Sequence, residues 1–233
     1  MASVRGGMRG LAAWGMLVAG ASVQAQLSAS VGIETDHRFR GVSLSDGRPD
    51  AYASVAYDHD SGAFAGTSVT RVEFVRGRPV AQWLGYAGYA ARLPQDLAAE
   101  FGLIGATFSG NTRYDYSEAF VGVSGERWAL RAYYAPDYFG FDQTTAYVEL
   151  DANAPLHPRL RLFAHLGALT LLRGAPADGH GRTRYDARLA LGWSVQPGWD
   201  LQLAWVSATQ GGPYVVEYGN RRSTGVLSAI ASF

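Results

Sequence analysis

Cysteine and lysine are both absent from the 233-residue sequence. Without cysteine the chain has no disulfides, no thiolate metal site and no lipid anchor on a cysteine. All 20 basic residues are therefore arginines, and 20 acidic residues balance them. This neutrality argues against nucleic acid as a partner.

Long hydrophobic runs are also missing beyond the N-terminal region. Arg5 and Arg9 precede an apolar run at 11–20, and small residues lead to Val23-Gln24-Ala25. This order is typical of a signal peptide, and so short a run cannot cross about 30 Å of hydrocarbon as a helix. We therefore expect residues 1–25 to be a signal peptide and residues 26–233 to be the folded domain.

Strand-like alternation covers the rest of the chain. Charged residues make up only 17% of the full sequence, against 29 glycines and 12% aromatic residues, a composition that favours a β-barrel. We predict about twelve strands of roughly nine to twelve residues, as transmembrane strands require. They lie at 27–38, 51–58, 63–72, 80–91, 96–108, 114–124, 127–135, 144–153, 159–170, 184–195, 199–208 and 222–233.

The connections between these segments alternate in length. Longer, polar connections lie at 39–50, 73–79, 109–113, 136–143, 171–183 and 209–221, with short turns between them at 59–62, 92–95, 125–126, 154–158 and 196–198. Short periplasmic turns and longer extracellular loops are typical of outer-membrane proteins. The sequence therefore predicts an all-β fold, a closed antiparallel transmembrane β-barrel.

The last predicted strand ends on an aromatic residue. Gly225, Leu227, Ala229, Ala231 and Phe233 share one face at the period of a strand. A closed barrel leaves no edge, since its last strand pairs with its first. The ending resembles the C-terminal recognition signal of outer-membrane barrels, so we expect Phe233 to be an assembly signal read by the barrel-assembly machinery.

Aromatic residues near strand ends predict an interfacial girdle. Trp128 and Tyr134 bracket one strand, and Trp193, Trp199 and Trp205 surround the turn at 196–198. The alternative interpretation is the ordinary preference of these residues for strands.

Charged residues on the polar strand faces predict the lining of a lumen. If the polar faces point inward, neighbouring strands place opposite charges side by side, which stabilises each pair by roughly 0.2–1 kcal/mol. The alternative is that these charges only hold a filled interior together. The predicted pore-lining residues are Glu34, Asp36, Arg38, Glu100, Glu118, Arg131, Glu149, Asp151, Arg161, His165, Asp186 and Arg188, with Arg184 beside them.

Turn lengths give an expected register for the charged strands. A two-residue turn at 125–126 places Phe120 opposite Arg131, with Glu118 on the diagonal. The turn at 154–158 places Asp151 near Arg161 and Glu149 between Arg161 and His165. We expect Arg131, Arg161 and Arg188 to project into the lumen near mid-height, beside a narrow aqueous path.

Five stretches of the mature chain look familiar: 39–49, 57–62, 64–66, 133–138, and Glu149 with 152–156. Together they resemble the proteobacterial TorF-like family of outer-membrane porins, and the similarity covers the whole mature chain. The resemblance implies an outer-membrane location in a Gram-negative bacterium and a porin role, and it names no substrate. Two departures are His37-Arg38, where the family has an aromatic residue, and the missing acids around Gln82. The motifs are Phe39-Arg40-Gly41-Val42-Ser43-Leu44-Ser45-Asp46-Gly47-Arg48-Pro49, Tyr57-Asp58-His59-Asp60-Ser61-Gly62, Phe64-Ala65-Gly66, Tyr133-Tyr134-Ala135-Pro136-Asp137-Tyr138, and Glu149 with Ala152-Asn153-Ala154-Pro155-Leu156.

The first motif allows two interpretations. Ser45-Asp46-Gly47 followed by a proline is turn chemistry that closes a surface loop, and we prefer this interpretation. The alternative is that Arg40 and Asp46 fix the loop over or into the mouth of the barrel.

These features predict a porin-like channel for passive diffusion of small hydrophilic solutes, with outer-membrane lipid and lipopolysaccharide around it. A non-conducting structural or adhesive barrel is the first alternative. A lipid-modifying enzyme is the second, because His157, His165 and His180 with nearby Ser and Asp could form a triad. No nucleophile motif, metal-ligand spacing or cofactor motif supports an enzyme, and such an enzyme should show outward Ser and His at one interface.

Overall fold

A computed structural model describes residues 26–75, 77–110, 112–176, 181–213 and 222–233. The predicted signal peptide at 1–25 and His180 lie outside the described residues. Among the residues described, no helix is long and apolar enough to cross a membrane. The helical elements there are single turns at Thr112–Tyr114 and Tyr138–Gly140.

Twelve antiparallel strands form a closed barrel, which confirms the predicted fold class. Each strand pairs with its neighbours in the chain, and the first and last close the sheet, with Ile33 opposite Ala229. The barrel strands are β1 (Gln26–Glu34), β4 (Asp50–Asp58), β5 (Ala63–Val75), β6 (Arg78–Leu93), β7 (Leu97–Phe108), β8 (Tyr116–Ser124), β9 (Trp128–Ala135), β10 (Thr144–His157), β11 (Leu160–Arg173), β12 (Thr183–Gln196), β13 (Trp199–Ala208) and β14 (Ser223–Ser232).

Connection length separates the two ends of the barrel, which we name the turn end and the loop end. At the turn end the strands are joined by two to four residues, whereas longer connections follow the strands that end at Glu34, Phe108, Ala135, Arg173 and Ala208, at the loop end. The predicted long loop at 73–79 is wrong. β5 and β6 continue past the neighbouring strands and pair Val75 with Arg78, so strand extension replaces the loop.

The outer face of the barrel is apolar. Leu27, Val31, Ile33, Leu103 and Leu203 are all exposed on it, because successive side chains of a strand point to opposite faces of the sheet. On β1, the inward side chain of Ser30 is polar and buried. This pattern matches a surface that contacts lipid rather than water.

Exposed aromatic residues lie near both ends of the strands. The prediction that Trp205 lies at the 196–198 turn is wrong, because Trp205 is six positions, about 20 Å, beyond Trp199 along β13. Trp205 instead opposes Leu189 and Gly225, toward the loop end. Turn-end members are Tyr57, Trp128, Trp193 and Trp199, and loop-end members are Trp83, Tyr134, Tyr185 and Trp205.

Two loop-end connections fold back and fill the mouth of the barrel. One is 35–49, which contains a small hairpin of β2 (Arg38–Phe39) and β3 (Val42–Ser43). The other is 136–143. Their aromatic and aliphatic side chains join the inward side chains of the strands in one buried core: Phe39, Leu44, Val72, Ala106, Phe108, Tyr116, Ala135, Tyr138, Phe139, Tyr147 and Leu169.

Candidate functional site

The β2–β3 hairpin crosses the interior of the barrel. Its two central residues, Arg40 and Gly41, have φ angles of 47° and 76°, the left-handed pair that two-residue hairpins require. A Cβ on Gly41 would lie 2.7 Å from the Cβ atoms of Asp186 and Ala208, on β12 and β13. Glycine therefore lets the tip of the hairpin reach the far wall of the barrel.

Arg40 is buried and forms the main contact of this hairpin. Its two terminal nitrogens donate to both carboxylate oxygens of Glu118 on β8, at 2.9 and 2.7 Å. One of them also donates to the Tyr138 hydroxyl at 3.1 Å. The guanidinium carbon lies 4.1 Å from the ring centroid of Tyr147 and 5.4 Å from that of Tyr133. Phe39 and Tyr138 add two more rings at 4.7 and 5.4 Å.

The charge of Arg40 survives this burial. Burial by itself lowers the pKa of the guanidinium, but Glu118 and the neighbouring tyrosines raise it, and the net pKa is above the ordinary value. Arg40 and Glu118 therefore form a buried ion pair, with the rings replacing much of the water that the cation loses. The preferred interpretation of the motif as a surface turn accounts only for its second half.

That second half does contain turn chemistry. Asp46 and Gly47 both have positive φ, and the Arg48 amide donates to the Ser45 carbonyl oxygen at 3.1 Å. Ser45 also donates its hydroxyl to the Arg48 carbonyl oxygen at 2.8 Å. Arg48 in turn bonds the buried Glu73 at 2.5 Å, which ties the loop to the extended β5 strand.

Asp36 and Arg38 do not lie on the first strand, as the sequence predicted, because β1 ends at Glu34. They belong to the inserted loop, where Arg38 Nε donates to Asp36 at 2.6 Å. The other Asp36 oxygen accepts the Ser43 hydroxyl at 2.6 Å and lies 3.2 Å from the Ser45 hydroxyl oxygen. The loop thus carries its own polar network into the barrel.

Arg131 lies at mid-height and is 2% exposed. Its Nε bonds Glu100 at 2.5 Å, and one terminal nitrogen lies 3.8 Å from Glu149 and 3.7 Å from Asp151. Three acids on two strands, β7 and β10, therefore share one arginine. The Tyr133 hydroxyl completes the group by donating to Glu149 at 2.6 Å.

His165 continues this network toward β12. Its Nδ1 lies 2.8 Å from Asp151, and its Nε2 lies 3.0 Å from both Asp186 and the Tyr147 hydroxyl. Glu149, Asp151 and His165 lie close enough together to share a cation. Both carboxylates already have protein partners, since the Arg131 guanidinium lies within 3.8 Å of each and His165 bonds Asp151, so we interpret this cluster as an ion-pair network rather than an open metal site.

The predicted register of the charged strands is wrong. Gly122, not Phe120, opposes Arg131, since the turn after β8 closes between Ser124 and Ala129. Arg161 opposes Pro155 rather than lying beside Asp151, because β10 continues to His157 instead of turning at 154. Arg161 therefore lies near the turn end, away from the acids, and not at mid-height.

Arg184 and Arg188 lie on the inner face of β12. Arg188 bonds Gln202 on β13, and its backbone opposes His165. Arg184 is buried near the loop end, where a Cβ on Gly212 would lie 3.2 Å from the Arg184 Cβ. Both arginines lie against one wall of the interior, opposite the strands that carry Glu100 and Glu118.

The interior is closed toward the loop end and open at the turn end. Inward residues at mid-height and toward the loop end of the strands, among them Gln82, Glu100 and Arg131, are almost completely buried. Inward residues near the turns, such as Ser28 and Asp58, are exposed. The predicted aqueous path beside Arg131 is therefore not open in this structure.

Tyrosines that the sequence analysis did not assign to the lumen complete the interior. Tyr133 and Tyr147 are direct cross-strand neighbours with ring centroids 5.8 Å apart, and Tyr138 comes from the loop at 136–143. Strand alternation alone places Tyr133 and Tyr147 inward, but a search restricted to charges misses them. Nothing in the sequence pattern indicates that Tyr138 enters the barrel.

Phe233 follows the end of β14. Its backbone amide donates to the Ala29 carbonyl oxygen at 2.9 Å, and the Ala29 amide donates back at 3.3 Å. Its side chain is exposed on the barrel exterior. These bonds help to close the sheet, and the role of Phe233 in assembly stays a prediction.

A closed barrel with an apolar exterior, aromatic residues at both rims and a charged interior defines the outer-membrane β-barrel fold. The chain belongs to the family described as "Bacterial protein of unknown function (Gcw_chp)", which matches residues 18–229. No curated protein sequence matches the chain. The more specific TorF-like resemblance is not confirmed by this match.

Two solved porins share the fold. The NanC porin is 11% identical, with a TM-score of 0.58, over 89% of this chain and 99% of its own. The KdgM porin is 10% identical, with a TM-score of 0.56, over 88% of this chain and 99% of its own. Another structure of the KdgM porin holds a disordered oligogalacturonate, with 8% identity and a TM-score of 0.56 over 90% and 99% of the two chains.

Proposed function

We propose that this protein is a porin-like channel of the outer membrane of a Gram-negative bacterium, through which small hydrophilic solutes diffuse passively. The observation that carries the proposal is the charged network inside the barrel, from Glu100 through Arg131 to Asp186. A barrel stabilised only by packing has little need of so many buried ions, because each one costs desolvation energy. The likeness to porins and the TorF-like resemblance support the same function.

In this proposal the structure represents the closed state of the channel. The inserted loop at 35–49 blocks the loop end, while the turn end is open to water. Gln82 supports an interior that rehydrates, since it is 1% exposed and neither polar atom of its side chain has a hydrogen-bond partner. Such a buried amide is costly in a dry core and is readily satisfied by water.

A non-conducting structural barrel is the second candidate, and the buried core at the loop end favours it. A lipid-modifying enzyme has less support. His165 faces the interior and its bonds are to carboxylates and a tyrosine, whereas such an enzyme needs a Ser and His pair facing lipid.

Single-channel recording distinguishes the two leading candidates. The mature chain and a variant in which residues 38–45 are replaced by a short Gly-Ser linker would be refolded and inserted in a planar bilayer under a salt gradient. We expect rare or small openings in the wild type and a larger, sustained conductance in the variant. If both barrels are folded and neither conducts, the channel proposal is wrong and the structural barrel takes its place.

Surface labelling tests the location and orientation. The absence of cysteine allows single introduced cysteines to report position without background. Asp142→Cys at the loop end and Glu126→Cys at the turn end replace side chains that are 89% and 80% exposed. A membrane-impermeant maleimide added to intact cells should label only the first. Labelling of the second alone would invert the proposed orientation.

A further inference from the structure

The surroundings of Arg40 form a receptor for a flat organic cation. Glu118 supplies two carboxylate oxygens, and both accept hydrogen bonds from the same guanidinium. The rings of Tyr133, Tyr138 and Tyr147 lie within 5.4 Å of it. Paired oxygens match the planar N–H donors of a guanidinium, and aromatic faces attract a cation that has lost its water.

Most of this receptor belongs to the barrel and not to the loop that fills it. Glu118, Tyr133 and Tyr147 lie on β8, β9 and β10, where strand pairing holds them in place. Arg40 comes from the β2–β3 hairpin and is 78 residues away from Glu118 in the chain. When the hairpin leaves, Glu118 keeps the neighbouring rings of Tyr133 and Tyr147 on the wall but loses its cation, which is unfavourable.

We propose that Glu118 with Tyr133, Tyr138 and Tyr147 is a binding site for solutes that carry a guanidinium group, and that Arg40 occupies it as a tethered substitute in the closed state. This rests on the proposed channel function and gives it a solute class. A guanidinium solute that enters from the turn end and the Arg40 side chain exclude each other. Binding of the solute therefore favours release of the hairpin.

Acids outnumber fixed cations along the route to this site. Glu100, Glu149, Asp151 and Asp186 lie on the inner wall of the barrel, and Arg131, Arg161 and Arg188 face the same interior. Removal of Arg40 leaves Glu118 as a further negative charge. The interior then attracts cations, which agrees with a cationic solute and not with an anionic one.

Chemical rescue tests the site in the refolded mature chain. In Arg40→Ala the guanidinium is removed while Glu118 and the rings stay. Millimolar methylguanidinium should raise the unfolding temperature of this variant in detergent by several degrees, because it binds only the folded barrel. The wild type should show no such shift, since its own Arg40 fills the site. If Arg40→Ala refolds poorly, the same comparison is made on the yield of folded barrel.

Three controls define what is bound. Urea, flat but neutral, should not stabilise Arg40→Ala, and tetramethylammonium, a cation without N–H donors, should stabilise it less than methylguanidinium. Arg40→Ala with Glu118→Gln should lose the response. Arg161→Ala removes a different inward arginine, far from Glu118, and should show no response to methylguanidinium. A response equal in Arg40→Ala and Arg161→Ala would overturn the site.

Conductance separates this proposal from the channel proposal. In a planar bilayer, methylguanidinium should reduce the sodium chloride current of Arg40→Ala at concentrations that leave Arg161→Ala unaffected. If methylguanidinium stabilises Arg40→Ala but the variant carries no current, the cation-site proposal is supported and the channel proposal is contradicted. A current that shows neither block nor stabilisation by methylguanidinium would keep the channel and refute the cation site.

Discussion

The loop-end and turn-end halves of the barrel have the same wall but different interiors. In the loop-end half, two connections fold inward and bury the Arg40–Glu118 pair in an aromatic core. In the turn-end half, inward residues such as Ser28 and Asp58 remain exposed.

Connection length explains this difference. The turns have two to four residues and span only neighbouring strands, whereas the connection at 35–49 has enough residues to reach the far wall and return. An inserted segment must also bring partners for its own polar groups, and Asp36, Ser43 and Ser45 supply them. The wall therefore sets the size of the interior, and the loops decide how much of it is open.

The largest loss of stability should come from removing Arg131, which lies at mid-height between the two halves. Arg131→Ala leaves Glu100, Glu149 and Asp151 without their shared cation, which should lower the free energy of unfolding by about 3–5 kcal/mol. Arg161→Ala, in the open half, should change it by about 1 kcal/mol or less. Urea unfolding of the refolded barrels measures both, and equal losses would show that the interior is uniform.

A smaller loss is expected from Glu118→Gln. The substitution keeps the shape of the side chain but removes the charge that holds Arg40, and a hydrogen bond to a charged group is worth about 1.5–3 kcal/mol. The β2–β3 hairpin can then leave the barrel, and water solvates the Arg40 guanidinium. This limits the loss in the free energy of unfolding. Trypsin should cleave the folded variant after Arg38 or Arg40, while the wild type stays intact there. Protection equal to that of Glu126→Gln, at the turn end, would contradict the role of Glu118.

Adding a methyl group where a side chain packs closely against the barrel wall should lower the stability by an intermediate amount. A Cβ on Gly167 would lie 2.1 Å from the Tyr147 hydroxyl oxygen and 2.5 Å from Asp186. Gly167→Ala must displace the tyrosine from the network, at a cost of about 1–3 kcal/mol. Gly85→Ala is the matched control, since its new Cβ meets nothing within 4 Å. Thermal unfolding should separate the two, and a lower stability of Gly85→Ala would refute the packing argument.

The smallest effect should come from an ion pair on the loop-end rim. Arg173 and Asp142 bond at 2.8 Å but are 66% and 89% exposed. Arg173→Ala should change the free energy of unfolding by less than about 1 kcal/mol, because water screens exposed pairs. The same urea titration measures it. A loss as large as that of Arg131→Ala would mean that burial does not distinguish the two kinds of pair.

The sequence by itself determined the wall of this protein. Side-chain alternation, connection length and the pairing of the last strand with the first predicted a closed barrel of about twelve strands, with bounds mostly within a few residues of those observed. These features are local, because each strand faces lipid on one side and the interior on the other. Inward positions such as Glu100, Arg131 and His165 followed from the same alternation.

Only the tertiary structure decided what those inward residues contact. A shift of a few residues in a turn moves every cross-strand neighbour, so Arg161 met Pro155 instead of an acid. The insertion of Arg40 depends on Glu118, Tyr133, Tyr138 and Tyr147. These residues lie 78 to 107 positions away in the chain, which is far outside any local sequence pattern. Long-range contacts of this kind leave no periodic signal in a single sequence, because they arise only when the closed wall brings distant strands around one loop.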